Sequence, residues 1–188
     1  TIQAVNTTLG LADDSDGIVD VNATTWTNSQ SLTVGAGGAG ELNLNANGVM
    51  GAVSTTVGEL ANSYGIVTAA GAGALLSNSD FLIVGKAGYG ELYLSGTATA
   101  SNTYAVLAGT SAATGIVSVA GAGTMWTNSG DLTVGDAGIG DVTDPAAFFL
   151  GSGTGFRLNG VVVFAPVLRS DVGQGVLAQV AAWPIRGR

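Results

Sequence analysis

The chain contains no cysteine and no histidine. That excludes disulfides, thiolate nucleophiles, zinc sites built on cysteine or histidine, and every dyad or triad that uses imidazole as its base. Charged residues are only 10% of the 188, while 46% are apolar, so the chain should collapse around a core rather than stay a solvated polyelectrolyte. The longest apolar run, "VVVFAPVL" at 161–168, is far shorter than the ~18 residues a membrane helix requires. No basic stretch followed by an apolar core opens the chain, so any secretion leader is expected to have been removed already. Proline is scarce too, and all three (Pro145, Pro166, Pro184) lie in the last quarter.

The few charges are unevenly placed. Residues 1–144 carry twelve acids and one base, Lys86, whereas residues 145–188 carry Asp171 against Arg157, Arg169, Arg186 and Arg188. An acidic main body repels phosphate backbones and anionic lipid surfaces, so nucleic acid and membrane partners are not expected.

What the chain does have is glycine, 31 residues of it, and repetition. "TNSQSLTVGAGGAGE" (27–41), "SNSDFLIVGKAGYGE" (77–91) and "TNSGDLTVGDAGIGD" (127–141) stand 50 residues apart. A shorter period lies inside the long one. An apolar residue followed by Gly recurs at Leu9-Gly10, Val34-Gly35, Val57-Gly58, Val84-Gly85, Ala108-Gly109 and Val134-Gly135. The unit is thus about 25 residues, with alternate units most alike. Each unit holds two or three short β-rich runs punctuated by Gly, Asn and Ser, and no segment keeps a helical period.

This pattern predicts an all-β parallel β-helix, or β-solenoid, in which each coil adds ~4.8 Å. The recurrent glycines should form corners with positive φ. The fixed Val and Leu should stack inward, with Trp26, Leu76 and Trp126 in one column. Asn28, Asn78 and Asn128 are expected to form a ladder with Asn102 and Asn6 between them.

The segment "GIVSVAGAGTMWTNSGDLTVGDAGIGDVT" (115–143) resembles the T5SS/PEP-CTERM-associated repeat of bacterial autotransporter passengers and related surface proteins. The likeness extends over 17–143, in double-coil units at 17–64, 65–114 and 115–143. It implies a right-handed β-helix, a secreted or cell-surface location, and a scaffold with no catalytic residues of its own. The solenoid domain is accordingly placed at 1–143. After "DVT" the pattern demands an aliphatic residue, but Asp144-Pro145 follows. Residues 144–188 are read either as an irregular cap over the open solenoid end or as an unrelated extension, apolar enough to mediate self-association.

Candidate chemistry is sparse. Asp13, Asp14 and Asp16 precede Gly17 as a fragment of a calcium loop that lacks its closing Glu. A solvated acidic turn is the expected reading, with weak Ca²⁺ binding as its alternative and no other cofactor. Glu41, Glu91 and Asp141 should align two coils apart, at ~10 Å, a spacing that inverting glycosidases use but that a repeat also produces automatically. Lys86, near Glu91 and Glu41, is the only base in the main body available to a lyase; a Ser–Lys pair fails because Ile83 occupies the S-x-x-K serine position. "GAGGAG" (35–40) fits a dinucleotide fingerprint but precedes no helix. Tyr64, Tyr89, Tyr93 and Tyr104 cluster in the middle coils, either as core filling or as exposed rings for sugars or proteins. The leading expectation is an extracellular structural or adhesive module that meets a host or neighbouring-cell surface, glycan or protein, through its faces. The alternative is a polysaccharide hydrolase or lyase with a groove along the solenoid.

Overall fold

A computed structural model describes residues 1–143 together with the strands Phe148–Leu150, Phe156–Leu158 and Val161–Ala165. The chain winds as a β-solenoid of three parallel sheets, and each coil contributes one strand to each sheet. Sheet 1 holds Ile2–Ala4, Thr25–Asn28, Val49–Ala52, Leu75–Asn78, Thr99–Asn102, Met125–Asn128 and Phe148–Leu150. Sheet 2 holds Thr7–Leu9, Ser31–Val34, Ser54–Val57, Phe81–Val84, Tyr104–Leu107, Leu132–Val134 and Phe156–Leu158. Sheet 3 holds Asp16–Val21, Ala39–Leu44, Tyr64–Ala70, Tyr89–Ser95, Thr114–Ala120, Ile139–Thr143 and Val161–Ala165. Six coils lie within residues 1–143, and the last three strands continue each sheet by one more rung. The remainder of 144–188, including the Asp144-Pro145 break, lies outside the described residues.

Most strands alternate between buried and outward residues, because successive side chains point to opposite faces. Inward residues stack in register from coil to coil. Trp26, Met50, Leu76, Ala100 and Trp126 form one column. Leu32, Thr55, Leu82, Ala105 and Leu132 form the facing column of sheet 2. In the sheet 2 column large leucines of even coils alternate with the smaller Thr55 and Ala105 of odd coils, whereas in the sheet 1 column Met50 breaks the alternation between Trp26 and Leu76. Truncating one of the fully buried leucines, such as Leu82 or Leu92, would cost about 2–5 kcal/mol.

The register also explains the 50-residue period. Trp26 to Met50 is a shorter coil than Met50 to Leu76, and the alternation repeats through Ala100 and Trp126. The difference lies mainly at the corner between sheets 2 and 3. Odd coils turn through five residues after the corner position (11–15, 59–63, 109–113), whereas even coils turn through three (36–38, 86–88, 136–138). Two unlike coils therefore make one repeat.

The corner position itself requires positive φ, with Gly35 at 72°, Gly58 at 71° and Gly85 at 72°. A Cβ on Gly85 would lie 2.1 Å from the carbonyl oxygen of Thr114. Here the pattern "apolar residue then Gly" fails once. In the fifth coil Leu107, not Ala108, pairs with Val84 and Val134, so Ala108 itself takes the corner with φ 57°. Gly109 is simply the next residue.

The asparagine ladder is also corrected. Asn28, Asn78, Asn102 and Asn128 are buried at the ends of sheet 1 strands. Ala4 and Ala52 occupy the same rung in coils 1 and 3, and Asn6 falls in the following turn, where it accepts from Ser31 N and Oγ. Each even-coil asparagine still finds a donor. Thr7 Oγ1 donates to Asn28 Oδ1 at 3.0 Å and Thr55 Oγ1 to Asn78 Oδ1 at 2.6 Å. In coil 5 that threonine is replaced by Ala105, and the alanine is replaced by Asn102, whose amide donates to Asn128 Oδ1 instead. One polar group is moved from sheet 2 to sheet 1, and the buried acceptor stays satisfied.

Candidate functional site

The outward face of sheet 3 carries most of the chemistry. Its central column reads Ile18, Glu41, Ile66, Glu91, Ile116 and Asp141, an isoleucine between every two acids. Repetition does align these three acids, but their surroundings differ. Glu41 Oε1 accepts from Asn43 Nδ2 at 2.7 Å, and the same amide donates to Asp20 Oδ1 at 3.0 Å. Glu91 is 7% exposed although it points outward. Asp141 has a buried Oδ1 with no hydrogen-bond partner among the described residues, and burial pushes its carboxyl above the usual range. An isoleucine rung separates each acid from the next, so no pair converges on one bond.

Glu91 is covered by tyrosines. Tyr64 and Tyr89 are paired residues on adjacent rungs, and their rings stack with centroids 5.0 Å apart and 14° between planes. Tyr89 Oη donates to Glu91 Oε1 at 2.5 Å, and Tyr64 Oη donates to Oε2 at 3.4 Å. Tyr93 stands on the same face two residues beyond Glu91. Its hydroxyl is pushed up to about 12, first by burial and then by hydrogen bonding to Glu91. Tyr89 is raised further, chiefly by its bond to Glu91, and Tyr64 is raised by burial and by the same carboxylate. All three phenols are thus held protonated around one anion.

The tyrosines are therefore surface residues, not core filling. Tyr104 does not belong with the other three: it lies on sheet 2 and packs against Phe81 at 5.5 Å. Lys86 is also displaced from its expected role. It sits at the sheet 2–3 corner and bonds Glu59 Oε1 at 3.0 Å, rather than facing Glu41 or Glu91.

Asp13 and Asp14 belong to the long corner of coil 1, and Asp16 opens the sheet 3 strand that follows it. Ser15 closes that turn by bonding Ala12 through backbone and hydroxyl, as Ser63 bonds Leu60 two coils later. Asp14 (φ 60°) occupies the left-handed position that Asn62 (φ 65°) fills in coil 3, a conformation Asp and Asn tolerate best after Gly. The acidic run is thus a solenoid corner. Among the described residues, no group of three or more acids is placed to hold a metal ion.

This corner nonetheless shapes a feature that the sequence did not reveal. The short corner of coil 2 lies between the long corners of coils 1 and 3, leaving an open cleft of about 580 Å³. Its floor is Gly37, Gly38 and Ala39. Asp13 to Asp16 form one wall, and Asn62 with Tyr64 forms the other. The only sequence signal was the difference between "GAGGA" and "GKAGY" at equivalent corners.

Among the described residues no helix is long and apolar enough to cross a membrane. Compared with known proteins, the chain matches no family model, no curated protein and no solved structure.

Proposed function

We propose that this chain is an extracellular structural and adhesive β-solenoid module, of the kind found in autotransporter passengers, and that it binds by surface contact. The observation that carries this reading is the aromatic patch on sheet 3. Tyr64, Tyr89 and Tyr93 stand outward from a rigid sheet and are locked in place by Glu91. Pre-ordered tyrosines offer contact area at little entropic cost on binding. Sheet 1 supports the same reading: outside it Thr27, Gly51, Ser77, Ser101 and Thr127 form a column of small, mostly polar residues.

The alternative of a polysaccharide hydrolase or lyase lacks such support. Its acids are separated by isoleucine rungs, and its one candidate base is bonded to Glu59.

The test is adhesion of the labelled chain to bacterial and epithelial cell surfaces. Saturable binding that falls with the Tyr89→Ser and Tyr93→Ser variants is expected. Release of reducing ends or unsaturated sugars from polysaccharide, at a rate that Glu41→Gln or Glu91→Gln abolishes, would overturn the reading in favour of the enzyme.

A further inference from the structure

The cleft over coil 2 has an unused aromatic wall. One face of the Tyr64 ring is covered by Tyr89 from coil 4. The other turns toward coil 2, where the register partner of Tyr64 is Ala39 and no ring continues the stack. The equivalent place over coil 4 is filled. Lys86 stands where coil 2 has Ala36, Ala87 where it has Gly37, and Tyr89 where it has Ala39. At two corner positions and at the first residue of the following strand coil 2 carries the smaller residue, and the cleft is the result.

From this geometry we infer that the cleft is a sugar-binding subsite, which takes one pyranose ring of a neutral or amine-bearing glycan against the free face of Tyr64. The inference rests on the adhesive reading and names the ligand class for it. A pyranose has an apolar C–H face that packs on an aromatic ring, and hydroxyls around its edge that need hydrogen-bond partners. The opposite wall supplies them as Asp13, Asp14 and Asp16, with Asn62 beside the ring. No basic side chain lines the cleft. Its sign therefore favours an ammonium-bearing sugar and disfavours uronates and sulfated glycans. The platform is ready-made, because Tyr89 and Glu91 already fix Tyr64 in place.

The position of Ala39 provides a specific test. Ala39→Tyr extends the existing Tyr64–Tyr89 stack by one ring and fills the cleft without altering the sheet. Calorimetric titrations would use cellohexaose (neutral), the β-linked glucosamine hexamer (cationic) and the galacturonate hexamer (anionic). The first two are expected to bind, the glucosamine hexamer more tightly and with an advantage that fades in salt; the galacturonate hexamer is expected not to bind. Tyr64→Ala should weaken binding about ten-fold. Ala39→Tyr should remove it while leaving the thermal melt at or above that of the parent chain.

The inference is overturned if Ala39→Tyr binds the hexamers as the parent does, if the galacturonate hexamer binds best, or if a lysine-rich peptide binds the cleft and no hexamer does. Cell adhesion by a chain that binds no hexamer removes the subsite and leaves the adhesive module standing. Hexamer binding without cell adhesion keeps the subsite and removes the adhesive reading.

Discussion

Tyr89 donates a 2.5 Å hydrogen bond to the carboxylate of Glu91, two residues along the same strand and on the same outward face. This bond keeps the phenol protonated, because ionising it would place a second negative charge beside the first. Together with Tyr64 and Tyr93 it makes a patch whose titration is displaced as a group.

The consequence for pH follows from the sign of the shift. Tyr93 titrates at about 12 in the folded chain against an ordinary value of 10.0, and Tyr89 is raised as well. The folded state therefore holds these protons longer than the unfolded state does. Stability is level below about pH 10 and declines as pH climbs toward 12. Absorbance near 295 nm should show Tyr64, Tyr89 and Tyr93 ionising above the ordinary tyrosine value. In Glu91→Gln the delayed phenols should move back toward the ordinary range. Ionisation of Tyr64, Tyr89 and Tyr93 at the ordinary tyrosine value in the parent chain would contradict the arrangement.

Asp141 is shifted in the same sense, toward its neutral form, and stability is lost in the same direction. Burial raises its carboxyl, so the neutral acid suits the fold, and its contribution declines as pH rises through the folded value. Asp141→Asn should melt higher than the parent at pH 7 and show a flatter stability profile above pH 4. Thermal melts followed by circular dichroism across that range would show it.

Among the described residues, Ala108 is the one with a Cβ in a corner column otherwise held by Gly10, Gly35, Gly58, Gly85 and Gly135. Left-handed backbone costs an L-residue about 1–2 kcal/mol, partly offset by the greater entropy glycine loses on folding. Ala108→Gly should thus stabilise the chain by roughly 0.5–1 kcal/mol in urea melts. The converse change, Gly85→Ala, places its Cβ 2.1 Å from the Thr114 carbonyl oxygen and should destabilise strongly.

Asn102 serves two buried partners, donating to Asn128 and accepting from Trp126 Nε1 at 2.7 Å. Asn102→Ala removes both bonds, at a cost of about 2 kcal/mol or more. Adding Ala105→Thr recreates the alanine–threonine pair of coil 3 and restores a donor for Asn128, though not the acceptor for Trp126. The double variant should recover part of the loss. Trp26 shows the cost that remains: its Nε1 is buried without a hydrogen-bond partner among the described residues, because Ala4 stands where coil 5 has Asn102. A double variant no more stable than Asn102→Ala alone would refute the exchange.

Lys86 and Glu59 are half and one-third exposed, so their bond is screened by water. Lys86→Met should change stability by less than about 1 kcal/mol. A larger loss in a denaturant melt would point to a structural role beyond the ion pair.

Much of the fold was legible in the sequence, for a local reason. A solenoid repeats the same contacts at each rung, so the spacing of Leu32, Leu82 and Leu132 already states which residues stack. The 50-residue period likewise told of two unlike coils. What the spacing could not show was which corner residue held the turn in coil 5. Ala108-Gly109 mimics the motif one residue late, and only the pairing of Leu107 with Val84 and Val134 resolves it.

The site was less legible, because outward side chains are not constrained by the stack. Periodicity made Glu41, Glu91 and Asp141 look equivalent, yet their neighbours are an amide, a tyrosine cage and a buried setting. Asn43, Tyr89 and Tyr93 stand two residues away on the same strand, but Tyr64 and Asp20, which complete the two settings, come from adjacent coils about 25 residues away in sequence. By itself the sequence determined the coil, its inward columns and its glycine corners, since each follows from a period that every rung must obey. Only the tertiary structure decided which tyrosines meet over Glu91, that Lys86 turns to Glu59, and that a short corner between two long ones opens a cleft beside Tyr64. These depend on the side chains of neighbouring coils at the same height, a relation that no single repeat contains.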